Sequence, residues 1–270
     1  MSAADLRAML VAGQVTHVPG VYDPASAALA VRAGHRAVHL SGAAISATML
    51  GRPDLAFVPA TQIADRAAVL VPALDGVPLL ADAATGYDSP DHAVWTALAY
   101  QRAGISGLRL DDGADAELAA ARIAALVEQG PQVALIAQAT GRRLTETIER
   151  CRMYAAAGAD AVLPAGIDEA DDLDRLRAEL PGVPLVISRS ETAPGGRRRT
   201  DAELAALGVR LVLHPLAAVL AALRAASLAY RAIAEQGDAR RVDRMPPAAL
   251  ATLTVRTPDP AIPGIDKIDT

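Results

Sequence analysis

Eight short apolar runs recur along the chain, most of them followed by an alanine-rich stretch of helical character, and this alternation decides what the chain can become. The runs lie at 16–19, 37–40, 77–81, 107–110, 133–137, 161–163, 184–187 and 210–213. They are read as apolar runs and not as apolar–polar alternation, as parallel strands buried on both faces are, although 107–110 and 210–213 each include an arginine. The stretches between them include amphipathic segments at 24–33, 91–103, 117–128, 144–157, 202–207 and 216–235. Strands alternating with helices at this spacing imply βαβ units, and eight of them imply a closed (β/α)8 TIM barrel. A doubly wound sheet is the alternative. The length of 270 residues suits one such barrel. Gly34, Gly104, Gly158 and Gly208 stand where helices should end in left-handed caps, and Asp91, Thr145 and Thr200 stand near helix starts. The expected division is a barrel over 1–237 and an extension over 238–270. The extension carries Pro246, Pro247, Pro258, Pro260 and Pro263 and is expected, with the last helix, to pack on a neighbouring subunit.

Composition excludes several chemistries. The net charge is −5 with no basic stripe, so nucleic acid is not an expected partner. No apolar run is read as approaching the roughly 20 residues that span a bilayer, so no membrane is expected either. The N-terminus lacks a basic segment followed by an apolar one, so no signal peptide is expected. Cys151 is the only cysteine, which rules out an intrachain disulfide and fits a cytoplasmic setting. Lys267 is the only lysine and stands four residues from the end, a poor place for a Schiff base or for pyridoxal phosphate (PLP). Aromatic residues make up only 3%, so the core must be built from Ala, Val, Leu and Ile.

Functional residues of a barrel project from the C-terminal ends of its strands. Tyr22 and Asp23 follow the first strand, and His39 and Ser41-Gly42-Ala43 end the second. Asp82 ends the third, Asp111-Asp112 the fourth and Gln138 the fifth. Ser188 and Ser190 follow the seventh, and His214 the eighth. A turn such as Ser41-Gly42-Ala43 offers backbone N–H groups as an anion nest. His39 and His214 are of the residue type that titrates near neutrality and serves as general acid or base.

The segments Gly20-Val21-Tyr22-Asp23-Pro24, Leu40-Ser41-Gly42, Met49-Leu50-Gly51-Arg52-Pro53-Asp54, Asp82-Ala83-Ala84-Thr85-Gly86-Tyr87, Tyr154-Ala155-Ala156-Ala157-Gly158-Ala159-Asp160 and His214-Pro215-Leu216 occur in this order. Together they resemble the isocitrate lyase and phosphoenolpyruvate mutase superfamily, nearest its 2-methylisocitrate lyase and carboxyphosphonoenolpyruvate mutase branches. The resemblance runs from about Gly20 to about Gln236. It implies that Ser41-Gly42-Ala43 holds the carboxylate of a pyruvate-like unit, and that Asp54 acts near the substrate. It also implies a homo-oligomer, a dimer or tetramer that exchanges C-terminal helices.

The departures from that family are as informative. The second acid of its strand-three motif is Ala84 here, and the glutamate after strand four is Asp111. A magnesium site built on Asp82 and Asp111 is therefore expected to be weakened or absent. Asp88 and Asp112 are the acids available to compensate. The loop carrying the lyases' acid/base cysteine is missing, because Gly113 runs directly toward a helix, and Cys151 reads as structural. The arginine after strand five is Gln138 and the acid after strand six is Ala165. Arg142, Arg143 and Arg197-Arg198-Arg199 are the candidate replacements for the lost arginine. The expected activity is a diverged carbon–carbon lyase or decarboxylase, acting through an enolate on a small 2-oxo or carboxylate substrate. Ordinary isocitrate or methylisocitrate cleavage is not expected. A barrel that binds a ligand or acts as a scaffold without catalysis is the alternative.

Overall fold

The computed structural model describes residues 2–52, 58–167, 170–189 and 199–254. Its strands are β1 (Thr16–Val21), β2 (Val38–Leu40), β3 (Leu79–Asp82), β4 (Gly107–Asp111), β5 (Ala134–Ala139), β6 (Ala161–Pro164), β7 (Leu185–Ser188) and β8 (Val209–His214). Each pairs in parallel with the next, and β1 closes on β8 with Pro19 opposite His214. The closed ring excludes the doubly wound alternative. The eight runs foreseen from the sequence match the eight strands to within two residues at either end.

Two apolar layers follow from the alternation of side chains along each strand. Val18, Leu80, Ile136, Leu163, Val186, Leu211 and Leu213 fill the barrel interior. Leu40, Leu79, Leu108, Val162, Leu185 and Val212 belong to the layer between barrel and helices. Helix α1 (Ala3–Val11), which the sequence reading did not single out, adds Leu6, Met9 and Leu10 to the interior cluster. It sits under the N-terminal ends of the strands. A Cβ on Gly107, the first residue of β4, would lie 2.4 Å from Leu6 Cδ2, so any larger residue there would push the buried Leu6 out of place.

The remaining helices are α2 (Pro24–Arg32), α3 (Gly42–Leu50), α4 (Ala60–Leu70), α5 (Pro90–Arg102), α6 (Ala116–Gln129), α7 (Leu144–Ala156), α8 (Ala170–Glu179), α9 (Asp201–Ala206), α10 (Ala217–Gln236) and α11 (Pro247–Thr254). Gly34, Gly104, Gly158 and Gly208 take positive φ, as the cap reading requires. Thr200 caps α9 in a reciprocal box with Glu203. The other two caps are corrected. Ser89, not Asp91, caps α5, with Pro90 opening the helix, and the N-cap position of α7 is Arg143, with no side-chain cap from Thr145.

Helix α10 is the long segment read at 216–235. It is 20 residues long with a mean hydropathy of 1.4, long and apolar enough by length and composition to cross a membrane, and only 6% of that span is buried. Arg224 and Arg231 interrupt it, so it contains no unbroken apolar run of that length.

Candidate active site

Asp82 is the last residue of β3, and its carboxylate lies almost wholly out of solvent. Its Oδ1 accepts from His39 Nε2 at 2.7 Å and from Arg109 Nε at 2.5 Å, and its Oδ2 accepts from the Gly42 N–H at 2.8 Å. Burial alone would push this carboxyl up. The charge of Arg109, the neighbouring His39 and the hydrogen bonds from both outweigh burial and hold it well below the usual carboxylate range. Tyr100 of α5 donates its hydroxyl to the Asp82 carbonyl at 2.9 Å and so fixes the strand end from behind.

Arg109 faces Asp82 in the β3–β4 register, and Asp111, two residues further along β4, faces Gln138 of β5. Residues two apart on a strand share a face. Arg109 NH1 therefore reaches Gln138 Oε1 at 2.5 Å, and Gln138 Nε2 reaches Asp111 Oδ2 at 2.6 Å. The other Asp111 oxygen accepts from the Gly113 N–H at 2.9 Å. The result is one continuous chain, His39–Asp82–Arg109–Gln138–Asp111, across the ends of β2 to β5. Four of these five residues were singled out from the sequence. Arg109 was not, although an arginine between Leu108 and Leu110 in a strand buried on both faces is itself a signal.

Ser41 is the N-cap of α3. Its Oγ accepts from the Ala44 N–H at 3.3 Å, while the Gly42 N–H is taken by Asp82. The hydroxyl hydrogen of Ser41 and the N–H of Ala43, which has no intrahelical acceptor, remain for an anion at this helix start. Tyr22 is half-buried beyond β1, and burial raises its hydroxyl above the ordinary value, with Asp23 adding to the effect. Ser188 ends β7 and is exposed. Asp54, Ser190, Arg197 and Arg198 lie outside the described residues, and Arg199 pairs with Asp174 of α8 at 2.7 Å.

His214 is placed elsewhere. Leu211 and Leu213 point into the barrel, so alternation turns His214 toward the helices. There its Nε2 meets His17 Nδ1 at 2.9 Å, and His17 Nε2 meets Asp201 at 3.0 Å. The compensating acids are also corrected. Asp112 is buried beneath α7, accepting from Arg150, Tyr154 and the Thr140 N–H at 2.8–2.9 Å. Asp88 is 82% exposed beside His92.

The residues present do not fit the divalent cation that the resemblance implies. All four carboxylate oxygens of Asp82 and Asp111 already accept protein hydrogen bonds, and a guanidinium lies between the two residues. Among the described residues no cluster of three or more His, Cys, Asp or Glu is gathered to hold a metal.

Fold and site together define a (β/α)8 barrel with a charged hydrogen-bonded mouth at its strand ends. The chain belongs to the phosphoenolpyruvate phosphomutase family, whose model matches residues 6–234. It is 29% identical over 253 residues to 2-methylisocitrate lyase of Bacillus subtilis, covering 87% of this chain and 83% of that protein. It is 30% identical over 251 residues to oxaloacetate decarboxylase of Chromohalobacter salexigens, covering 87% and 85%. Among solved structures, 2,3-dimethylmalate lyase superposes with a TM-score of 0.84 at 27% identity, covering 94% of each chain. These relatives are lyases and decarboxylases of small carboxylates, and nothing in them supports a non-catalytic scaffold.

Proposed function

We propose that this chain is a carbon–carbon lyase for a small 2-oxo acid, and that decarboxylation of a 2-oxo dicarboxylate is its reaction. The observation that carries the reading is the Asp82–Arg109–Gln138–Asp111 chain at the barrel mouth. Loss of carbon dioxide beside a 2-oxo group asks little of the protein. The bond to the departing carboxylate breaks, its electron pair enters an enolate whose charge rests on the former oxo oxygen, and a solvent proton later returns to carbon. Such a reaction needs a positive group at that oxygen and an anchor for the remaining carboxylate. Arg109 supplies the first, and Ser41 with the Ala43 N–H supplies the second. Cleavage of a 2-hydroxy acid would additionally need a base for the hydroxyl, and Gly113 leads into α6 where the related lyases carry their acid/base loop. The oxaloacetate decarboxylase relative favours the same choice.

The test is turnover of a panel of 2-oxo dicarboxylates headed by oxaloacetate, with pyruvate formation followed against the uncatalysed background. Acceleration that Arg109→Met abolishes is expected. Background rates with every member of the panel, alongside cleavage of a 2-hydroxy acid such as 2-methylisocitrate, would overturn the choice of decarboxylation.

A further inference from the structure

We propose that Arg109 takes the place of a divalent cation in this site, so that the chain binds and activates its 2-oxo acid without metal. The inference rests on the enolate reading above and names the group that carries the positive charge.

Position is the first argument. The guanidinium is built into the barrel wall in mid-strand, with its side chain 20% exposed, and it lies against one carboxylate directly and the other through Gln138. A cation bridging Asp82 and Asp111 would have to displace it or stand beside it, and like charges at that range repel strongly where water is scarce. Ligand supply is the second argument. The flanking strands β2 and β5 bring His39 and Gln138, and Ala84 follows Asp82, so among the described residues no third acid joins the pair. A divalent cation seeks about six oxygen ligands, and here two carboxylates whose four oxygens already accept hydrogen bonds are all that is offered, whereas the directed N–H groups of a guanidinium suit them as they stand. Donor capacity is the third. Arg109 uses Nε and NH1 within the network, and its NH2 has no partner among the described residues. A planar guanidinium with a free N–H edge suits a carboxylate or an enolate oxygen. Unlike a metal ion, it is never lost to a chelator.

The test uses the whole protein and two probes, Mn2+ and oxalate, the latter a planar mimic of the enolate of a 2-oxo acid. Mn2+ binding is measured by electron paramagnetic resonance, and oxalate binding by calorimetry in excess chelator. The wild-type chain is expected to bind oxalate in chelator and to leave Mn2+ free at millimolar concentration. Arg109→Met, which exposes the two carboxylates to each other, should gain Mn2+ affinity by about tenfold or more and lose oxalate affinity by a similar factor. Arg109→Lys, which keeps the charge, should still exclude Mn2+, and serves as the control if Arg109→Met folds poorly. Micromolar Mn2+ binding by the wild type, oxalate binding that needs added metal, or Mn2+ binding by Arg109→Lys as tight as by Arg109→Met would overturn the inference. These readouts do not depend on turnover. A protein inactive on every 2-oxo acid but metal-excluding and oxalate-binding would fail the decarboxylase reading alone.

Discussion

His39 Nε2 and Asp82 Oδ1 stand 2.7 Å apart, with side chains 2% and 3% exposed, at adjacent strand ends of the barrel mouth. Because Asp82 is ionised, it accepts, and the imidazole carries its proton on Nε2. The opposite nitrogen, Nδ1, is buried without a partner among the described residues. Asp82 therefore fixes three things at once: the tautomer of His39, the direction of Arg109, and the first N–H of α3.

The depressed acidity of Asp82 gives a pH signature. A carboxyl held below its usual range in the folded state adds stability that is present above the unfolded value, near pH 4, and is lost as pH falls toward the folded value. Asp82→Asn removes that contribution and leaves Arg109 without its ionic partner. A loss of about 3 kcal/mol near neutrality is expected, at the lower end for a broken buried pair because Arg109 keeps some solvent. Denaturant titrations should show this gap constant above about pH 5 and shrinking below about pH 4. A gap independent of pH down to 2 would contradict the ion-pair account.

The face of α10 predicts assembly. Val219 is its only buried residue, while Leu220, Leu223, Leu228, Tyr230 and Ile233 are 38–72% exposed. So many exposed large apolar side chains on one helix mark a contact surface. We expect a homodimer or homotetramer with α10 at the contact, and light scattering at micromolar concentration should report it. Leu223→Glu together with Ile233→Glu should shift the mass toward the monomer. A wild-type monomer would end this expectation.

Cys151 should be inert. It is fully buried in α7, and burial, reinforced by the charge of Asp112, pushes its thiol up to about 12. At pH 8 only about one thiol in ten thousand would be ionised. Alkylation should therefore be negligible in the native protein and stoichiometric in denaturant. Rapid native labelling would mean that α7 opens far more readily than its packing implies.

How much of this was legible in the sequence depends on parity. The strands were visible because a strand buried on both faces needs an unbroken apolar run, and Asp82, Asp111 and Gln138 were visible because each directly follows one. Arg109 was hidden inside such a run, although it shares a strand face with Asp111. His214 was misplaced for the converse reason: it ends a strand, but Leu213 already occupies the inward parity. Helix α3 escaped notice because its first residues, Ser41 and Gly42, also make a plausible turn. Helix α8 carries only two leucines among polar residues, too thin a stripe to stand out.

Ser41 supplies the last prediction, since its hydroxyl has two jobs that one variant separates. As N-cap it accepts from the Ala44 N–H at 3.3 Å, and Ser41→Ala should lower stability by about 1 kcal/mol for that reason alone. As an anchor it donates its hydrogen to a ligand carboxylate, a charge-assisted bond whose loss is worth about 1.5–3 kcal/mol, roughly a 10-fold to 150-fold fall in oxalate affinity. Ser41→Gly keeps most of the capping conformation but lacks the hydroxyl, so it should recover stability without recovering binding. Thermal melts and calorimetric titration of both variants provide the comparison. Oxalate affinity unchanged in both, with only the melting temperature moving in Ser41→Ala, would leave Ser41 as a helix cap and remove it from the binding site.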